Sequence, residues 1–286
     1  MNITNTNPGL QTLELVNSRL ALESVSLESF TDTVRKIIPS ISSAIRSFTS
    51  GFRYTLSDDN GLTTTVWNQR DWDSLVKTLD GHKFTNLMDL RLYVPEGFKG
   101  NLASYAETLL RAQEHVNKVI GDVVTPYNVF LSKLVTNPNA AKDTRLQLTA
   151  LNQIKATREA LRAQLAEYFT PGSTVAYCKV GDAVANNADW KMLGESLKSI
   201  HADFDIKRPA QVKEAVDDCS ELLDALSNSA AENGLRDISS QTLRTLGDAT
   251  LEVAREIEFF SVINYQVNTL LSVMGQNTVF LKKALK

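Results

Sequence analysis

The chain has 286 residues, 43% hydrophobic and 22% charged, with a net charge of −3. These are globular averages that exclude a largely disordered chain, and the slight acidity argues against a dedicated nucleic-acid binder, whose phosphate contacts need surplus Lys and Arg. Apolar runs of a few residues fall well short of the roughly 20 a membrane span requires.

The start, Met1-Asn2-Ile3-Thr4-Asn5, has neither the basic nor the apolar region of a secretory signal, so cytosolic synthesis is expected. Residues 1–9 are polar and end in Pro8-Gly9, the pattern of a flexible tail. Leu10 to Leu22 is helical in pattern over a short range. Phe30, Val34, Ile37, Ile41, Ile45 and Phe48 then recur four and three apart, on one helical face, with Pro39 expected to kink the helix or begin a second. This helix carries Arg35, Lys36 and Arg46 against Asp32. Such a helix docks in a partner's groove, lies on a membrane, or packs on its own bundle.

Residues 51–98 change character. Phe52–Leu56 and Leu62–Trp67 are rich in aromatic and β-branched residues, and the Asn60-Gly61 between them favours a tight hairpin. Leu90, Leu92 and Val94 alternate before Pro95 as a third strand. Thr174–Val180, bounded by Pro171-Gly172 and Gly181, is a fourth candidate, distant in sequence. If it pairs with the others, it ties the two halves of the chain into one fold.

The remainder is helical in pattern. Leu102, Ala106, Leu109, Val116, Ile120 and Val123 mark one helix, ended or kinked near Pro126 and continued by Tyr127, Phe130, Leu131 and Leu134 to the Asn137-Pro138-Asn139 turn. A return helix carries Leu151, Ile154, Leu161, Leu165 and Tyr168. Val212, Val216, Cys219, Leu223 and Leu226 give another stripe. The last helix is the most regular: ten seam positions run from Leu243 to Met274 three and four apart, interrupted by Thr250 and Asn264. Phe259, Ile263 and Leu270 are apolar off that seam, so a helix buried in its own bundle is expected rather than one edge of a two-stranded coil.

The chemistry-bearing residues are sparse. The chain has no P-loop, GxGxxG, HExxH or GxSxG pattern, and His82, His115 and His201 are widely spaced. His201, Asp203 and Asp205 would share one face only in an extended strand, whereas a helix would splay them. Cys178 and Cys219 are too few and too far apart for a disulfide framework or zinc site, and are expected to be free, buried thiols. Trp67 and Trp72 form either a stacking platform for a base or sugar or part of the packed interior. No enzymatic activity, cofactor or metal is expected.

Two charged stripes are candidate partner-binding surfaces. Glu214, Asp217, Asp218 and Glu221 lie opposite Val212, Val216, Cys219 and Leu223 on one amphipathic helix, where they form a solvated face or an acidic docking surface. Lys155, Arg158 and Arg162 lie on one side of the return helix, either solvated or placed to touch phosphates. The C-terminal part, residues 171–286, holds the chain's acidic excess.

Two tripeptides of the form small-x-Glu, Ala21-Leu22-Glu23 and Ser26-Leu27-Glu28, stand immediately before the Phe30 helix. This leader resembles that of structural and internal head proteins of large tailed bacteriophages. The resemblance covers about 30 residues. It implies processing by a prohead protease after Glu23 or Glu28, and a place in the host cell cytoplasm, the virion or both. It also implies partners among phage structural proteins or a second copy of the chain.

The expected fold is mainly α, a bundle of long antiparallel helices with a small antiparallel β-sheet. The expected organisation is a leader and amphipathic helix over 1–50, a β-rich segment over 51–98, and a helical bundle over 99–286. The expected function is that of a non-enzymatic phage structural protein acting through protein–protein contacts. The alternative is a phage-encoded intracellular protein that captures a host factor or nucleic acid through a charged surface.

Overall fold

The computed structural model describes residues 67–136, 148–168, 175–203 and 240–285, with scattered positions between 214 and 228. The leader with Glu23 and Glu28, the Phe30–Phe48 pattern and, apart from Trp67, the hairpin expected over residues 52–67 lie outside the described residues.

The described chain is mainly helical, with one small antiparallel sheet, as the periodicity indicates. In order, the elements are α1 (Gln69–Asp80), α2 (Phe84–Leu87), β1 (Arg91–Pro95), α3 (Leu102–Val119), a π-helical turn (Ile120–Val124), α4 (Thr125–Thr136), α5 (Leu148–Tyr168), β2 (Val175–Lys179), α6 (Val180–Ala183), α7 (Asn187–Asp203) and α8 (Ser240–Ala284). The described positions between 214 and 228 are also helical.

Two compact units are built from interleaved stretches of chain. One contains residues 116–157 and 209–261 among others, and the second contains residues 57–115, 158–208 and 262–286.

In the second unit, α1 corrects the expectation of a β-rich segment. Asn68 caps the helix, its side-chain oxygen accepting from the Asp71 N–H at 3.2 Å. Trp72, Leu75 and Leu79 follow at helical spacing, and all three are buried. The strand propensity of the aromatic residues yields to that pattern and cap. Trp72 meets Trp190 of α7 with ring centroids 6.1 Å apart, and Lys282 of α8 reaches Asp71 at 2.8 Å. Arg111 of α3 donates to Gln164 of α5, and Tyr105 packs on Tyr168 at 5.2 Å. The helices of this unit therefore bundle around shared aromatic residues.

The fourth candidate strand, for which the sequence left pairing open, does pair with the third. β1 and β2 run antiparallel with Leu92 opposite Cys178 and Tyr93 opposite Tyr177. The Val180 N–H donates to the Leu90 carbonyl at 2.8 Å, which makes residues 90, 92 and 94 the hydrogen-bonded positions and turns the backbone of 91, 93 and 95 away from β2. On that outer edge the Tyr93 N–H and carbonyl both meet the side-chain amide of Asn277 from α8, at 2.7 and 2.8 Å. One asparagine stands in for a missing strand. Beyond β1, Gly97 and Gly100 adopt φ of 77° and 91°, where a Cβ would be strained.

In the first unit, Pro126 has the effect expected of it. Proline supplies no N–H, and the helix adjusts just before it with a π turn instead of breaking. The Thr125 backbone N–H and hydroxyl both donate to the Ile120 carbonyl, the hydroxyl at 3.0 Å. The chain then continues as α4, burying Tyr127, Phe130, Leu131 and Leu134.

The wide apolar face of α8 is also observed. Seam residues Val253, Ile257, Phe260, Val267, Leu271 and Met274 are buried, and so are Phe259, Ile263 and Leu270 off the seam. Among the described residues, no helix is long and apolar enough to cross a membrane.

Candidate interaction site

The acidic stripe of the first unit keeps its predicted two-faced character. Glu214, Asp218 and Glu221 are exposed, at successive spacings of four and three. Asp217 is half-buried and engaged in interactions of its own. On the inward side Cys219 is fully buried, and the Ala215 carbonyl accepts from the Asn128 side chain of α4 at 2.8 Å. Burial pushes the Cys219 thiol up to about 12, with the Asp218 carboxylate adding to the effect. That thiol is an apolar anchor, with too little thiolate at neutral pH to act as a nucleophile. The three exposed carboxylates thus lie in a line about 10 Å long, given a rise of about 1.5 Å per residue.

Beside this segment is a cavity of about 20 Å³, walled by Val119, Ile120 and Val124 around the π turn, by Ala215, and by Ile257 and Phe260 of α8. It is large enough for about one water molecule. The buried Glu256 also borders it, with interactions of its own.

The basic stripe does not survive as a surface. Lys155 is exposed and Arg162 half-buried, but Arg158 is completely buried. Its Nε and Nη2 both donate to the Glu159 carboxylate, at 3.1 and 3.0 Å. Arg158 falls in the same three-and-four row as Leu151, Ile154, Leu161 and Leu165, so the apolar pattern carries it inward. A guanidinium in that position is not available to phosphates.

Both tryptophans are interior residues: Trp67 is 3% exposed and Trp72 1%. The platform reading is therefore overturned in favour of packing. His201 and Asp203 lie at the end of α7, and the His201 ring is 5.6 Å from that of Trp67. Among the described residues, no three His, Cys, Asp or Glu side chains are grouped as metal ligands.

In the second unit a surface cleft of about 350 Å³ separates Trp72, Lys77 and Asp80 of α1 from Lys191, Gly194 and Glu195 of α7. Lys191 is paired with Asp80 at 2.9 Å. The helices approach closely at Gly194, where a Cβ would lie 2.5 Å from the Trp72 indole nitrogen. Charges of both signs line the cleft, so it favours no single ligand class.

Three features carried no signal recognised in the sequence. Asn277 was legible only as a polar residue late in a helix, and Glu256 only as one of several acidic residues on α8. The Tyr93–Tyr177 pair requires the strand register to be known. Comparisons with protein-family models, with curated proteins and with solved structures find no match to this chain.

Proposed function

We propose that the chain is a non-enzymatic structural protein of a large tailed bacteriophage, associated with the head or virion, acting through protein–protein contacts. We assign the contact to the outward face of residues 214–221 and the partner to a protein with a basic surface. The observation that carries this reading is the line of three exposed carboxylates, Glu214, Asp218 and Glu221, on a segment fixed from behind by Cys219 and by the Asn128–Ala215 hydrogen bond. Charges held on an anchored helix lose little freedom on binding, so complementary charge steers a partner and sets its register. The phage assignment rests on the leader tripeptides ending at Glu23 and Glu28.

Capture of nucleic acid by an intracellular protein is the alternative, and burial of Arg158 removes the centre of the stripe that would serve it.

The test is charge reversal. Changing Glu214, Asp218 and Glu221 to Lys abolishes association with any basic phage protein that co-purifies with the wild-type chain and leaves the helical circular dichroism unchanged. Wild-type association weakens as salt rises from about 0.1 M to about 1 M, over which the screening length falls from about 10 Å to about 3 Å. Retention of the partner by the triple variant, or binding indifferent to salt, rejects this surface.

A further inference from the structure

Tyr93 and Tyr177 sit opposite each other at a position of the β1–β2 ladder that exchanges no backbone hydrogen bonds. Such positions bring antiparallel chains closest, with side chains nearer than at the bonded pairs. Here the rings have centroids 4.5 Å apart and planes inclined by 41°. The Tyr177 hydroxyl donates to the Tyr93 oxygen at 3.0 Å.

Two constraints hold this geometry. The Tyr93 backbone is clamped on its far side by Asn277, and its ring meets the edge of Phe280 at 5.7 Å. Tyr177, in contrast, is 57% exposed and open to reagents from solvent. The pair therefore joins a fixed phenol to an accessible one, oxygen against oxygen. With the oxygens 3.0 Å and the centroids 4.5 Å apart, the hydroxyl-bearing ends of the two rings are neighbours, which favours coupling through the carbons ortho to the hydroxyls.

We propose that Tyr93 and Tyr177 form an intramolecular oxidative cross-linking site, which a one-electron oxidant converts to a dityrosine joining β1 to β2. The oxidant is of the high-valent haem type generated by a peroxidase from hydrogen peroxide. Each phenol gives one electron and one proton. The two phenoxyl radicals couple through their ortho carbons, and the ring hydrogen at each junction moves to the oxygen, restoring both aromatic rings. Two electrons and two protons leave in all, and together they reduce one peroxide to two waters.

The link closes a loop between residues 84 positions apart in sequence. It restrains the unfolded chain much as a disulfide would, without requiring a thiol. The nearby Cys178 cannot readily serve that purpose, since desolvation first and the Asp182 charge second push its thiol up to about 11.

The experiment treats the full chain at low concentration with a haem peroxidase and limiting hydrogen peroxide. Expected are a monomer lighter by two hydrogens, the blue dityrosine fluorescence in the monomer band of a denaturing gel, and a tryptic cross-link between the peptides spanning residues 92–99 and 163–179. Because the second peptide also holds Tyr168, Tyr168→Phe must keep the signal, whereas Tyr93→Phe and Tyr177→Phe must each lose it while retaining native circular dichroism. Persistence of the monomer signal in Tyr177→Phe overturns the proposal. So does fluorescence confined to covalent dimers, or an absence of coupling under conditions that couple a free tyrosine peptide.

Discussion

Two asparagines on α8 are equally buried and differently used. Asn277 is 0% exposed, and its amide completes the open edge of β1 with two short hydrogen bonds. Asn264 is 1% exposed, and among the described residues neither its Oδ1 nor its Nδ2 has a hydrogen-bond partner. Burial alone therefore says nothing about whether a polar side chain stabilises the fold. What matters is what remains when the side chain is removed: at 277 two backbone groups lose the amide that they bond to, while at 264 no group among the described residues loses a partner.

The largest expected effect follows directly. Asn277→Ala removes the bonds to the Tyr93 N–H and carbonyl, and each group so orphaned costs roughly 1–3 kcal/mol, so the variant should lose about 2–6 kcal/mol in urea unfolding. A loss below about 0.5 kcal/mol would mean that the amide clamp contributes little and that β1 is held by its pairing with β2 and by its buried Leu92 and Val94.

The smaller effect should have the opposite sign. Asn264→Leu replaces an unpartnered amide with an apolar group of similar size, on a helix whose neighbouring Ile263 and Val267 are buried. Stability should rise by about 1–2 kcal/mol. A fall of that size would show that the amide has a partner in solution, such as an internal water.

A third effect concerns the two thiols, is absent at neutral pH and appears only in alkali. The Cys219 thiol is raised from about 9 to about 12, chiefly by burial. A raised folded pKa means that the folded state holds its proton longer than the unfolded chain. The resulting stabilisation is complete below the unfolded value near pH 9 and is lost as pH rises toward 12. Cys219→Ala should therefore flatten the decline of stability across that window, whereas the same change at the half-buried Cys178 should flatten it less. Equal flattening from both would contradict the difference in burial.

The same contrast explains what could be read from sequence. The α8 seam, the helices on either side of Pro126 and the two strand segments near residues 90–94 and 174–180 were legible, because apolar spacing and flanking Pro or Gly report burial and boundaries directly, whereas the pairing of those strands comes from the fold alone. Helix α1 is masked by the aromatic and β-branched residues before it, which mark the whole segment as β-rich, although Asn68 as a cap and the spacing of Trp72, Leu75 and Leu79 are present. Arg158 is a related case: its charge suggests a surface position, but its place in an apolar row carries it inward. Whether a buried asparagine has a partner depends on another element entirely, β1 for Asn277, and no local pattern could have supplied that. Of the candidate site, the outward alignment of Glu214, Asp218 and Glu221 was legible from helical spacing, while the anchoring of Ala215 by Asn128 was not.

The central functional claim is that this acidic face contacts a basic protein within the phage particle. The most direct measurement is zero-length carbodiimide cross-linking of purified particles, which joins a carboxylate to a lysine only when the two are in contact. The account predicts that the chain is present with its N-terminus at Ser24 or Ser29, and that Glu214, Asp218 or Glu221 is cross-linked to lysines of one other particle protein. Absence of the chain from particles, or cross-links that leave all three of these carboxylates unmodified, would contradict it.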